Sequence, residues 1–288
     1  NPRSGTNFTG NSNVAAVLAQ QDLNNRRAII LDDGLSIQNP ATVPYLNSQN
    51  TRRVGDTVTG LTGVLDQRFG AYRVQPTGSV TFADTNPRPT SPPNVGNANV
   101  KVGSFNLLNY FTTLDQPGNL TGPNNNLAPR GANNITEFNR QREKTATTIA
   151  QLNADILGLI ELENNGTTAI TDLVNAVNSK LGANVYSFIP DPVNYTAVAG
   201  GDDAIKVGFI YKPSVVTPIG SPLTTNDPSF LNLGRAPVAQ TFRVNSNGAV
   251  FTPIINHFKS KGATGATGAN LDQNDGQGAF NAQRRCLL

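Results

Sequence analysis

Hydrophobic and polar positions change rhythm along the chain, and each change predicts a different kind of element. Residues 1 to about 26 are polar and Asn-rich, with one helical spacing of apolar residues, from Val14 to Leu23. From Arg27 the texture turns to strands. RAIILDDG reads as a short strand running into an Asp-Asp-Gly turn. RRVGDTVTGLTGVLDQ alternates around Val54, Val58, Leu61 and Val64, and FGAYRVQP is a second alternating run. Glycines among β-branched residues suit the bends of a small curved barrel, where a side chain would obstruct the turn.

The stretch NPRPTSPPNVGNAN, residues 86–99, holds four prolines and predicts a semi-rigid linker. Residues 1–85 are then expected to form an all-β accessory domain, OB-like in its curvature, with a plain all-β spacer as the alternative. Beyond the linker, strands alternate with helices. VKVGSFNLLNYF and DILGLIELE read as strands, the second apolar enough to be buried on both faces. Between them TEFNRQREKTATTIAQL carries Phe138, Thr145, Ile149 and Leu152 on one helical face, and Thr136 with Asn139 stands where a cap belongs. Ile170, Leu173, Val174, Val177 and Leu181 predict a second helix, closed by Gly182. Strands follow around VYSFI, IKVGFIY, VAQTFRV and AVFTPIINHF. The expectation for residues 100–288 is an α/β layered domain opening on a strand–helix–strand unit.

Composition narrows this picture modestly. Charged residues make up 14% of the chain, against roughly 25% in an average soluble protein. Asn, Thr, Gly, Ser and Pro take their place, which favours a loop-rich, β-containing surface. A formal charge of +3 and a sequence pI near 9.1 permit an anionic partner without requiring one. Cys286 is the only cysteine, which excludes an intrachain disulfide and a cysteine metal cluster. No apolar run approaches the ~18 residues of a spanning helix. The sequence starts at Asn1 and contains no Met, as expected of a processed product or a fragment.

Candidate chemistry gathers at strand ends. Asn106 follows one apolar strand and Glu161 ends another. If the strands are neighbours, an amide oxygen and a carboxylate converge at one sheet edge. Such an oxygen-only pair suits Mg²⁺. A turn-forming Asn and a solvated acid are the plain alternatives. Glu163 is a further candidate ligand, two residues on and expected on the same face. His257, the only histidine, ends the apolar run TPIINH ahead of Lys259 and Lys261, whose ammonium groups would press the imidazole toward its neutral form. A lone histidine is commonly structural, yet a phosphate-handling site needs a titrating group beside positive charge. Arg235 in LGRAPVAQTF has the fork that takes a phosphate bidentately. Lys206 interrupts the apolar strand IKVGFIY, either snorkelling to the surface or contacting substrate.

Six stretches, VKVGSFNLLNYFTTLD, ADILGLIELENNG, DDAIKVGFIYKP, RAPVAQTF, INHFKSKG and DGQGAFNAQR, occur in the order expected of one family. Together they resemble the endonuclease/exonuclease/phosphatase superfamily, the pancreatic-deoxyribonuclease-like fold, and within it the bacterial extracellular nuclease branch. ILDDGLSIQNP, RVGDTVTGLTGVLDQRFGAYRVQPT and NPRP are similar to the non-catalytic β domain of that branch. The resemblance implies a two-layer β-sandwich flanked by helices. It implies Glu161 as principal metal ligand, helped by Asn106, with Mg²⁺ the expected cation and Mn²⁺ or Ca²⁺ the alternatives. Arg235 is similar to the phosphate-contacting arginine and His257 to the first catalytic histidine, while Lys206 and Lys259 fall near substrate-phosphate positions.

The implied activity is hydrolysis of DNA or RNA by a secreted or cell-surface bacterial nuclease. A phosphomonoesterase, a lipid phosphodiesterase or a catalytically dead matrix-binding module are the alternatives. The family's later Gly-Asp-x-Asn and terminal Ser-Asp-His are absent from these 288 residues. The expectation is therefore a catalytic domain incomplete at its C-terminus, inactive by itself, with a natural chain that continues or a second chain that completes it.

Overall fold

The computed structural model describes residues 13–36, 44–87, 89–227, 230, 234–272 and 277–281. Parts of ILDDGLSIQNP, NPRP and DGQGAFNAQR, together with Cys286, lie outside the described residues. Among the described residues contacts cluster into two units, one up to Ser91 that also takes in Gln277, and one of the rest from Pro92 onward.

The first unit opens with α1 (Val14–Arg27), longer than its apolar spacing suggests and without a buried residue. Five short strands follow: β1 (Ile30–Leu31), β2 (Thr57–Val58), β3 (Gly63–Arg68), β4 (Ala71–Pro76) and β5 (Phe82–Ala83). They form a three-stranded sheet in the order β1-β4-β3 and a separate β2-β5 pair. The unit is therefore not all-β, and its described strands do not close into one OB-like barrel. The β3–β4 hairpin is what the alternating runs specified. The described residues of 86–99 carry no helix or strand.

The second unit is α+β and layered. Its first sheet has the order β6-β7-β9-β8, from β6 (Val102–Tyr110), β7 (Ile156–Glu163), β8 (Ser187–Phe188) and β9 (Ile205–Tyr211). β6 and β7 are parallel and joined through α2 (Ile135–Leu152), while α3 (Thr168–Leu181) follows β7. α2 starts on Asn134, whose side chain accepts from the Glu137 N–H, so the cap lies two residues before the Thr136 expected to supply it. α3 ends on Gly182 at φ 69°, the left-handed position that a side chain resists.

The second sheet is antiparallel around β11 (Arg235–Val244), which pairs with β10 (Val216–Leu223), β12 (Val250–Phe251) and β13 (Ile254–His257). β10 holds Pro218 and Pro222, which mask its strand signal and suit its place at the sheet edge.

Strand β7 is apolar from Ile156 to Ile160 because both its faces are covered there. Leu157 and Leu159 join a core with Ile149 of α2 and Leu173 and Val177 of α3. Ile156 joins a second core with Val207 and Phe209 of β9 and Val238, Phe242 and Ile255 of the other sheet. Helices, first sheet and second sheet thus stack in three layers, the sheet pair being the expected sandwich.

Candidate active site

Two adjacent irregularities build the centre of the site. On β6, Asn106 pairs with Ile160 and the next pair is Tyr110 with Leu162, so four steps on β6 match two on β7. On β7, Leu159 pairs with Gly208 and Leu162 with Lys206, three steps against two. Leu108, Asn109 and Glu161 absorb the extra residues at φ 56°, 54° and 63°. Left-handed backbone costs a side-chain-bearing residue roughly 1–2 kcal/mol, and bulges of this kind re-aim side chains at functional sites.

The bulges lock onto one another through the Glu161 carboxylate. Its Oε1 accepts from Asn106 Nδ2 at 2.9 Å and its Oε2 from the Asn109 N–H at 3.1 Å. Asn106 Oδ1 in turn accepts from the Leu108 N–H at 2.8 Å. Asn106 and Glu161 therefore meet as expected, within bulged strands rather than at strand ends.

The extra residue at Glu161 also breaks the two-residue alternation, so Glu163 does not share the setting of Glu161. Glu163 is fully buried. Its carboxylate accepts from the Thr112 N–H and hydroxyl, the Thr113 N–H and the Thr121 hydroxyl. It organises the loop after β6 and is not a ligand candidate.

His257 approaches from the second sheet, with Nε2 3.8 Å from Glu161 Oε1. That gap is too long for a direct hydrogen bond. Its cross-strand partner is Arg235, which lies within β11 rather than ahead of it. Burial holds the imidazole below its ordinary pKa, aided by Arg235 and opposed by Glu161 and Asp203. The expected pressure toward the neutral form comes from burial and Arg235, not from Lys259 and Lys261. His257 Nδ1 and Arg235 Nε are buried without a hydrogen-bond partner, which calls for an explanation such as a ligand-binding role.

Asp203, unremarked in the sequence, organises this side. Its Oδ2 lies 3.1 Å from Arg235 Nη2 and its Oδ1 2.5 Å from Arg130 Nη2. Burial alone would raise its pKa, but Arg235, the Ile205 N–H and Arg130 hold it below the ordinary value. The buried Asn164 side chain donates to the carbonyls of Gly201 and Asp203, tying this loop to the end of β7. The only available signal was an Asp-Asp pair directly ahead of an apolar strand.

Two of the candidate lysines have contacts of their own. Lys206 does not snorkel to the surface. Its ammonium, 2% exposed, donates to both carboxylate oxygens of Asp191 and to the Gly166 carbonyl. All three donors are used, so the structure gives Lys206 an internal ion pair in place of a phosphate contact. Lys259 stacks its ammonium 5.1 Å from the centre of the Phe280 ring.

The donors fit a hard cation held loosely. Glu161 would supply carboxylate oxygens, the kind of donor with which Mg²⁺ is held alongside waters and substrate phosphate. Asn106 turns its amide nitrogen to Glu161 and its oxygen to the Leu108 N–H, so its oxygen would join a cation at Glu161 only once that amide turns. Among the described residues no group of three or more His, Cys, Asp or Glu could hold a metal ion. No described helix is long and apolar enough to cross a membrane.

A family model described as a domain of unknown function (DUF8508) matches residues 4–85. No curated protein matches the chain. Among solved structures the chain is similar to an endonuclease/exonuclease/phosphatase family protein from Bacteroides thetaiotaomicron. That likeness has 13% identity and a TM-score of 0.36, and covers 65% of this chain and 57% of that one. A second likeness is to the human Nocturnin catalytic domain with bound sulfate anion, at 16% identity and a TM-score of 0.28, covering 42% of this chain and 43% of that one. The chain thus spans less than two thirds of the length of either structure.

Proposed function

We propose that this site hydrolyses phosphodiester bonds of nucleic acid with the help of a divalent cation, as part of a secreted bacterial nuclease indifferent to the sugar. One observation carries the reading. Asn106, Glu161 and His257 converge from three strands in two sheets, and Arg235 sits beside His257. A carboxylate–amide pair facing an imidazole and a guanidinium suits a phosphate group, with oxygen donors for a cation on one side and nitrogen donors for the anion on the other.

Glu161 with Asn106 would hold Mg²⁺, with Mn²⁺ or Ca²⁺ as alternatives, and the bound ion would supply Lewis-acid neutralisation of phosphate charge. Arg235, oriented by Asp203, would donate to a non-bridging phosphate oxygen. His257, neutral near pH 7, would present Nε2 to an oxygen lying between it and Glu161. Water attacks phosphorus in line, the P–O bond to the leaving nucleoside oxygen breaks, and that oxygen takes up a proton. Orienting the water and protonating the leaving oxygen are roles that this reading does not give to Asn106, Glu161, Arg235 or His257.

The test is plasmid nicking with Mg²⁺ by the natural full-length protein, set beside p-nitrophenyl phosphate and phospholipid substrates. Nicking should fall about 10²–10³-fold in Arg235→Ala and at least as far in Glu161→Gln. Turnover of the monoester or lipid in preference to plasmid would replace the nuclease reading. Metal binding without turnover of any of them would leave a binding module.

A further inference from the structure

Asn106 also lines a cavity of about 540 Å³ between the turn that follows it and helix α2. Leu108 stands on one wall, Arg140, Gln141 and Lys144 on the other, and Arg130 beside them. The shape is held from within. Gln141 Nε2 donates to the carbonyls of Leu107 and Leu108 at 3.1 and 2.8 Å, fixing a turn whose Leu108 is left-handed and 77% exposed. A large apolar side chain is thus presented to solvent on strained backbone, an arrangement that packing does not explain.

The opposite wall is cationic. Arg140 and Lys144 lie one helical turn apart, a spacing at which like charges mildly destabilise a helix. Both are exposed, and among the described residues neither has a carboxylate partner. Glu137, the one acid lining the cavity, already accepts from the Asn133 N–H. Arg130 is bound to Asp203, which also holds Arg235, so one chain of charges links this cavity to the phosphate-facing side of the site.

We propose that this cavity binds the flanking part of a nucleic-acid strand whose scissile phosphate lies at Glu161 and His257. A neighbouring phosphate sits on Arg140 and Lys144, and its sugar or base lies against Leu108. The inference rests on the phosphodiesterase reading of Asn106 and Glu161 and deepens it. A bare phosphate would need the cations alone, whereas the apolar wall suits a nucleoside, and a single strand offers both in alternation.

Fluorescence anisotropy of a fluorescein-labelled ten-nucleotide oligothymidylate, titrated with protein between about 50 and 200 mM salt, reads the cavity directly. In the double variant Arg140→Ala/Lys144→Ala, binding is expected to weaken about tenfold, and the slope of log affinity against log salt to shrink by about 1.4, or ~0.7 for each lost contact. Both positions are exposed on a helix, where alanine is favoured, so the variant should fold. Leu108→Ala is expected to weaken binding a few-fold while leaving the salt slope unchanged. Unchanged affinity and slope in the double variant would overturn the proposal, as would absence of binding by the wild type or preferential binding to vesicles containing phosphoinositides. Glu161→Gln separates the two levels of the argument. Oligonucleotide binding that survives in Glu161→Gln, without any Mg²⁺-dependent cleavage by the natural full-length wild type, refutes the phosphodiesterase reading and spares the cavity.

Discussion

His257 sits between opposed influences: burial and Arg235 disfavour its charged form, while Glu161 and Asp203 favour it. Because it is the only histidine in the sequence, its ring protons give an unambiguous NMR titration. The midpoint is expected below 6.5, the ordinary value, and lower still in Glu161→Gln, which removes a stabilising carboxylate. A midpoint at or above the ordinary value, or one that rises in the variant, would contradict this geometry. The same shift fixes a sign for stability. Between the depressed native midpoint and 6.5 the unfolded chain binds more protons, so the contribution from His257 grows as pH rises through that window and is complete above it. At this scale Asn106, Glu161, Arg235 and His257 were legible because each is polar at or beside an apolar strand. Glu163 and Lys206 were misread for physical reasons. A bulge reversed the alternation that placed Glu163, and an acid fifteen residues upstream, Asp191, kept the Lys206 ammonium inside. Asp203 was missed because its importance comes from Arg130 and Arg235, both far away in sequence.

Elements were most legible where apolar periodicity was strong, as in α2, α3, β7 and β9. What the periodicity concealed was the pair of bulges at Leu108–Asn109 and Glu161, since no glycine marks them, and strand β10, whose prolines read as loop. At one point the fit between the two sheets needs a glycine. A Cβ at Gly158 would meet Ile255 Cδ1 at 2.7 Å, closer than real side chains approach. Gly158→Ala should therefore destabilise the second unit by about 1–3 kcal/mol through overpacking, seen as a lower urea midpoint. Adding Ile255→Val removes the opposing methyl and should recover part of the loss. If the double variant is instead less stable than either single one, the sheets do not meet at this point.

At the scale of the whole molecule, the two units differ in how much they bury. Every fully buried apolar side chain among the described residues lies at Leu107 or beyond, while Val54 and Phe69 of the first unit are 96% and 92% exposed. Segments with few buried contacts open at low free-energy cost, so amides of β3 and β4 should exchange with deuterium far faster than those of β7 and β9. Equal protection would mean that the first unit has a core these contacts do not reveal. This thin core also explains why alternation in residues 27–85 could announce strands without specifying how they assemble. Beyond Pro92 the layers were foreseeable because apolar faces recur at strand and helix periods. Their convergence on a single centre was expected only through the family resemblance, since periodicity does not say that the second sheet brings His257 to Glu161. The most direct test of that centre is a Mn²⁺ titration followed on the ring-proton resonance of His257. The paramagnetic ion, held by Glu161 and Asn106, should broaden that signal at low occupancy in the wild type and leave it sharp in Glu161→Ala. No broadening in the wild type, or equal broadening in the variant, would show that these residues do not form a common metal and phosphate site.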